Sequence, residues 1–91
     1  MALGIYFVHE GFTPEKYREA IMQLEVAGQG SPKGRSNHFA LESLDSIQVF
    51  DVWDSMEDFE AFGETLVPIL RGMGVELKDP IVATIFNVIT G

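Results

Sequence analysis

Residues 49–62 join a strand pattern directly to a helix pattern and read Val49-Phe50-Asp51-Val52-Trp53-Asp54-Ser55-Met56-Glu57-Asp58-Phe59-Glu60-Ala61-Phe62. The β-branched and aromatic side chains that lead to Trp53 are typical of a strand, which we place at residues 47–53. Ser55 is a good helix N-cap, and Asp58 makes a variant of the capping box. Apolar side chains then recur at helical spacing, at Phe59, Phe62, Leu66 and Ile69. Pro68 interrupts this pattern and predicts a kink or an end nearby.

The chain before this segment shows the same order of strand and helix. Residues 3–9 are rich in β-branched and aromatic types and predict the first strand. A helix should begin at Pro14, with Thr13 as its N-cap, because proline suits the first helical position. Its apolar side chains follow at helical spacing as far as Ala27. The glycine-rich residues 28–36 then predict a loop.

The remaining segments complete a four-stranded sheet. Residues 38–42 and 47–53 predict a hairpin that turns at 43–46, and residues 81–89 predict the last strand. The order β-α-β-β-α-β is that of a ferredoxin-like α+β fold, and we assign residues 1–91 to one such domain. Because crossover connections are right-handed, both helices should lie on one face of a four-stranded antiparallel sheet.

Composition and charge exclude several classes of function. The chain is 46% hydrophobic and 22% charged, as globular proteins are, and it has no cysteine for a disulfide or a thiol nucleophile. The net charge is −8. A surface this negative repels phosphate, which argues against nucleic acid and anionic membranes as partners. The N-terminus lacks the basic residues of a signal peptide, so we expect a cytoplasmic protein.

The predicted strands are apolar on both faces. In the last strand, one face carries Ile81, Ala83, Ile85 and Ile89, and the other carries Val82, Phe86 and Val88. Two helices can cover only one face of the sheet, and soluble monomers rarely expose a large apolar patch. We therefore expect a homodimer in which two copies pack sheet against sheet about a two-fold axis.

This arrangement resembles a known group of proteins. The order β-α-β-β-α-β, the doubly apolar strands, and a strand that ends Asp51-Val52-Trp53 before Ser55 and a helix are similar to the dimeric α+β barrel superfamily. The closest branch is the antibiotic-biosynthesis-monooxygenase-like domains. The resemblance implies one of several activities, since the superfamily includes cofactor-free oxygenases of aromatic polyketides, haem-degrading enzymes, isomerases and proteins without known activity.

The resemblance leaves two hypotheses about function. Such domains often carry a histidine about two turns into the second helix, but Phe62 occupies that place here and can neither transfer a proton nor bind iron. The first hypothesis is therefore a homodimeric module that binds a small apolar or aromatic molecule in a sheet-helix cleft without catalysis. The second is a cofactor-independent monooxygenase-like or isomerase-like enzyme that acts on an aromatic or polyketide substrate. We expect no cofactor and no metal in either case.

Three residues are candidates for acid-base chemistry. His9 and His38 are the only histidines, and histidine is the side chain best suited to proton transfer near neutral pH. Asp51 lies within an otherwise apolar strand, where a carboxylate must be paired, hydrogen-bonded or neutralised. We name His9 and Asp51 as candidate catalytic residues. The alternative is that all three stabilise strand ends, a loop or the dimer contact.

A second set of residues is expected to contact a flat apolar ligand. Aromatic side chains dominate it because they line many small-molecule sites, although they serve equally well in ordinary packing. The set consists of Tyr6, Phe50, Trp53 and Phe62, together with the polar residues His38 and Asn87. Of these, Trp53 and Phe62 are the expected walls of the pocket.

Overall fold

The chain folds as β-α-β-β-α-β, as the sequence predicts. In the computed structural model, which describes residues 2–91, the elements are β1 (Leu3–Val8), α1 (Pro14–Val26), β2 (Arg35–Ser43), β3 (Ser46–Trp53), α2 (Met56–Gly72) and β4 (Ile81–Thr84). The sheet order is β2-β3-β1-β4, and every neighbouring pair is antiparallel. This is the ferredoxin-like α+β arrangement.

Both helices begin at the predicted caps. The hydroxyl of Thr13 accepts the backbone N–H of Lys16 at 3.2 Å, and the hydroxyl of Ser55 accepts that of Asp58 at 3.1 Å. Each bond satisfies one of the amide donors that a helix start leaves free. Helix α2 continues past Pro68 for one more turn to Gly72. No helix within residues 2–91 combines the length and the apolar character needed to span a membrane.

The two faces of the sheet have different surroundings. The face under the helices holds Ile5, Phe7, Ile47, Val49 and Trp53, all buried against side chains of α1 and α2. The opposite face carries Val8, Phe39, Leu41 and Ile81, each of which is 46–66% exposed. One face of this sheet is therefore an ordinary core, and the other is an apolar surface that no helix or strand among residues 2–91 covers.

Strands β1 and β3 differ from the predicted bounds by one residue each, and two strands differ by more. Strand β4 ends at Thr84 instead of Ile89, because its antiparallel register with β1 pairs Thr84 with Leu3 and carries later residues beyond the start of that strand. Ile85 adds a further bond, from its N–H to the carbonyl of Ala2. Strand β2 is longer than predicted and begins at Arg35, within the expected loop, with a register shift between Arg35 and Asn37.

Candidate functional site

A cavity of about 50 Å³ lies between the sheet and the two helices. Most of its wall consists of aliphatic and aromatic side chains from β1, β3, α1 and α2. Five polar residues interrupt this wall, namely His9, Tyr17, Arg35, His38 and Asp51. The volume is enough for a few water molecules, so a ring-sized molecule enters only if the walls move apart. The lining, an apolar wall with a few convergent polar groups, is that of a small-molecule site.

Three of these polar residues form a hydrogen-bonded chain. Nδ1 of His38 lies 2.6 Å from Oδ1 of Asp51, and Nε2 of the same ring lies 2.8 Å from the hydroxyl of Tyr17. The indole N–H of Trp53 donates to the other carboxylate oxygen of Asp51 at 3.3 Å. Asp51 is only 2% exposed, so these bonds meet the requirement that a buried carboxylate be paired or hydrogen-bonded.

The partners of His38 determine where its proton lies. A carboxylate accepts but does not donate, so Nδ1 of His38 carries a hydrogen that it donates to Asp51. In the neutral ring Nε2 is then an acceptor, and the Tyr17 hydroxyl donates to it. The Tyr17 and His38 rings are also stacked, with centroids 6.0 Å apart and planes 7° from parallel. His38 is therefore oriented by Asp51 on one side and Tyr17 on the other.

A bulge in β2 brings Arg35 and His38 to the same face of the sheet. Residues three positions apart in a regular strand point to opposite faces. Here the register shift between Arg35 and Asn37 pairs Arg35 with Trp53 and His38 with Asp51, two residues that share the helix-covered face. The guanidinium of Arg35 lies 5.7 Å from the centre of the Phe62 ring, within cation–π range. The bulge thus adds a cation to a wall that would otherwise lack one.

Burial shifts the pKa of Tyr17. Desolvation raises the pKa of its hydroxyl, the nearby Arg35 charge opposes that rise, and the Asp51 carboxylate adds to it. A raised pKa keeps Tyr17 protonated at neutral pH, so it acts as a hydrogen-bond donor in the resting site.

His9 lies in the same wall but in a different environment. Its ring packs near Phe7 and Phe12, with centroids 5.7 and 6.2 Å away. Nδ1 accepts the backbone N–H of Lys78 at 3.3 Å. Burial lowers the pKa of His9, so the ring is neutral at physiological pH.

The cavity collects only part of the set that the sequence predicts. It brings together His9, His38, Asp51 and Phe62. Trp53 lies behind the wall, fully buried, and contacts the site through its bond to Asp51. The prediction that Tyr6, Phe50 and Asn87 line the pocket needs correction. Tyr6 and Phe50 pair with each other on the opposite face of the sheet, because alternate residues of a strand point to opposite sides, and Asn87 is exposed after the end of β4.

Two polar residues of the cavity wall, Tyr17 and Arg35, are not among the site residues that the sequence predicts. Tyr17 falls within the apolar stripe of α1. A buried tyrosine needs a hydrogen-bond partner for its hydroxyl, and this requirement could have identified it as a polar residue of the site. Arg35 falls in a segment whose sequence predicts a loop, and no local sequence pattern predicts the bulge. As for metals, residues 2–91 contain no cluster of three histidine or acidic side chains suited to hold one.

Solved structures with the same arrangement include three that span nearly all of this chain. A protein of Chloroflexus aurantiacus J-10-fl, named provisionally as an antibiotic biosynthesis monooxygenase, is 19% identical with a TM-score of 0.62 over 99% of this chain and 98% of its own. SnoaB, a cofactor-independent oxygenase from Streptomyces nogalater, is 14% identical with a TM-score of 0.62 over 99% and 96%. A protein of unknown function from Nitrosomonas europaea is 16% identical with a TM-score of 0.61 over 99% and 92%.

The chain has the fold of the antibiotic-biosynthesis-monooxygenase-like proteins. No family model matches the sequence, and no curated protein matches it. The likeness therefore lies in the arrangement of the elements, and it confirms the fold that the resemblance of the sequence implies. The fold does not identify an activity, because one fold supports many functions, and only the side chains of the site can indicate one.

Proposed function

We propose that the protein is an acid-base enzyme that removes a proton from a small, mostly apolar molecule bound between the sheet and the helices. The observation that carries this proposal is the chain from Asp51 through His38 to Tyr17 at the wall of an apolar cavity. A base oriented by a carboxylate is a recurring solution for proton transfer at neutral pH. This hydrogen-bonded chain of side chains favours the enzyme over the non-catalytic module, because simple binding of an apolar ligand needs no oriented base.

The proton moves in two coupled steps. The substrate gives its acidic proton to the oxygen of Tyr17, while the hydroxyl proton of Tyr17 passes to Nε2 of His38. Tyr17 remains neutral throughout, which suits its raised pKa. His38 becomes an imidazolium, and the adjacent Asp51 carboxylate stabilises that charge at 2.6 Å. The products of this step are a substrate anion and a paired imidazolium.

The remaining wall suits an anion that forms during the reaction. Arg35 lies against Phe62 at the cavity, and its positive charge already affects the Tyr17 hydroxyl. A fixed cation in a poorly hydrated site stabilises developing negative charge more strongly than it would in water. Phenols and enols fit these features, because each loses one proton to give an anion on an otherwise apolar frame.

The fate of the anion separates an isomerase from an oxygenase. Return of the proton to a carbon atom instead of the oxygen completes an isomerisation, whereas reaction of the anion with dioxygen begins an oxygenation. SnoaB, which shares the fold, is a cofactor-independent oxygenase, and this likeness supports the second course. Deprotonation comes first in both.

Deprotonation is tested with 4-hydroxyacetophenone, whose ultraviolet absorption changes when its hydroxyl ionises. With wild-type protein, the bound phenol should show phenolate absorption at a pH where the free compound is neutral. His38→Gln should bind the same compound as the neutral phenol, because Gln cannot accept the proton. Glu42→Gln, an exposed position of the same strand, is the matched control and should behave as wild type.

Each result has a clear consequence for the proposal. Phenolate absorption in wild type that disappears in His38→Gln supports proton removal through this chain. Phenolate absorption of equal strength in both proteins would show that His38 is structural. Saturable binding of the neutral phenol by wild type would favour the non-catalytic binding module, and binding can be followed separately by the fluorescence of Trp53, the only tryptophan.

A further inference from the structure

The backbone of Lys78 fixes the protonation of His9. Its N–H points at Nδ1 of His9 at 3.3 Å, and a donor cannot face a protonated ring nitrogen. Nδ1 is therefore unprotonated, and the proton of the neutral ring lies on Nε2. The lowered pKa of His9, caused by burial, keeps the ring in this neutral form.

The protonated nitrogen of His9 has no partner among residues 2–91. All fully buried polar side-chain atoms within these residues have hydrogen-bond partners, and the bond to Lys78 is the one hydrogen bond of the His9 ring. Nε2 therefore keeps some accessible surface, although the residue is only 5% exposed. His9 also lines the cavity, so a molecule bound there lies beside this ring.

We infer that His9 is a positioning residue whose Nε2–H donates a hydrogen bond to a carbonyl oxygen of the bound molecule. The inference rests on the proposed function and specifies its substrate class. Phe12 packs near both residues, with its ring centroid 6.2 Å from that of His9 and 6.0 Å from that of Tyr17. A substrate that satisfies both carries an acidic hydroxyl at Tyr17 and a carbonyl oxygen at His9, on one small ring or conjugated frame.

The surroundings of His9 favour a carbonyl over a carboxylate. The ring is neutral and packs near Phe7 and Phe12. Two cations have to be considered. The ammonium group of Lys78, whose backbone bonds His9, is held at the surface by Glu10 at 2.9 Å, and the guanidinium of Arg35 in the cavity wall packs against Phe62. A carboxylate at Nε2 would be buried without a counter-charge, which is costly, whereas a neutral carbonyl needs only one donor.

Two probes of similar shape test this inference. 4-Hydroxyacetophenone carries the carbonyl, and 4-ethylphenol replaces it with a methylene group. In wild type the ketone should bind more tightly than the ethyl compound, and His9→Leu should reduce that ratio by roughly threefold to tenfold, the usual effect of one hydrogen bond. Comparing the ratio in two proteins removes the difference in acidity between the two phenols.

A second measurement uses the wild-type protein and does not depend on the folding of a variant. Nuclear magnetic resonance of the histidine nitrogens should show His9 with its proton on Nε2 near pH 7. Addition of 4-hydroxyacetophenone should shift the Nε2–H resonance, and 4-ethylphenol should shift it much less. A proton on Nδ1, or equal shifts with both probes, would overturn the inference.

Failure of this inference differs from failure of the proposed function. If both probes bind and ionise in wild type but His9→Leu leaves their ratio unchanged, His9 is not a carbonyl donor, and proton removal by His38 stands. If 4-hydroxyacetophenone shifts the His9 resonance but stays a neutral phenol, the carbonyl contact stands and the acid-base role fails. If neither probe binds, both proposals are overturned.

Discussion

At the scale of single residues, two histidines in one cavity differ in their hydrogen-bond partners. A carboxylate holds Nδ1 of His38 as a donor, whereas a backbone N–H holds Nδ1 of His9 as an acceptor. The first arrangement suits the base that we propose, and the second suits the neutral donor that we infer. Residue type alone does not distinguish the two histidines.

The environment of His9 predicts a loss of stability in acid. Its pKa is lowered from about 6.5 in the folded protein, so the unfolded chain takes up this proton more readily. The contribution of neutral His9 is complete above pH 6.5 and is lost as the pH falls through the lowered pKa, with a slope of at most about 1.4 kcal/mol per pH unit for one proton.

Urea unfolding between pH 5 and 8 measures this effect, with His9→Gln as the comparison. Below pH 6.5, the unfolding free energy of the wild type should fall relative to that of His9→Gln, because the variant has no histidine proton to gain at this position. His38 is common to both proteins and cancels. A difference that stays constant with pH would show that His9 titrates normally.

At the scale of elements, the connection between α1 and β2 determines the composition of the site. Gly34 has φ +87°, and a β-carbon added there would overlap the Asp58 side chain at the start of α2. The carbonyl of Gly34 also accepts the N–H of Asp54 at 2.7 Å. These contacts anchor the chain at Gly34, one residue before β2 begins at Arg35. The start of the bulged strand is thereby held against the start of α2.

Gly34→Ala should therefore destabilise the protein and disturb the cavity. Gly28→Ala is the matched control, since Gly28 also has a positive φ, +79°, but its added β-carbon would meet open space. The control should cost about 1–2 kcal/mol for the left-handed conformation, and Gly34→Ala should cost more in urea unfolding. Gly34→Ala should also weaken binding of 4-hydroxyacetophenone. If the two variants lose the same free energy of unfolding, the Asp58 side chain can move aside without cost.

At the scale of the whole molecule, no helix or strand of the described residues covers the outer face of the sheet. Phe39 and Phe50 stack there with centroids 6.3 Å apart, and Phe39, Leu41 and Ile81 are half or more exposed. A patch of this kind is typical of an interface between proteins. We expect two copies to pack through it, which leaves the cavity on the helix side of each sheet.

Light scattering at micromolar concentration should give about twice the chain mass of 10.1 kDa. Leu41→Lys should shift the protein to the monomer, because a charge at an apolar contact loses its hydration without gaining a partner. Val26→Lys, at an exposed position at the end of α1, is the control and should remain dimeric. A wild-type protein that stays monomeric would contradict the argument from the apolar face.

The sequence by itself determined the order of elements, both helix caps and the fold, because these depend on local spacing and on residues adjacent in the chain. It also marked Asp51 and the two histidines, since a buried carboxylate and a titratable ring stand out in any context. Tertiary structure alone decided that His38 meets Asp51 and Tyr17 and that Arg35 reaches the cavity. It also decided which face of the sheet the helices cover, and Tyr6 and Phe50 lie on the other face. The reason is physical: a one-residue bulge or the register of an edge strand changes which face a side chain joins, and both are set by pairing between distant segments.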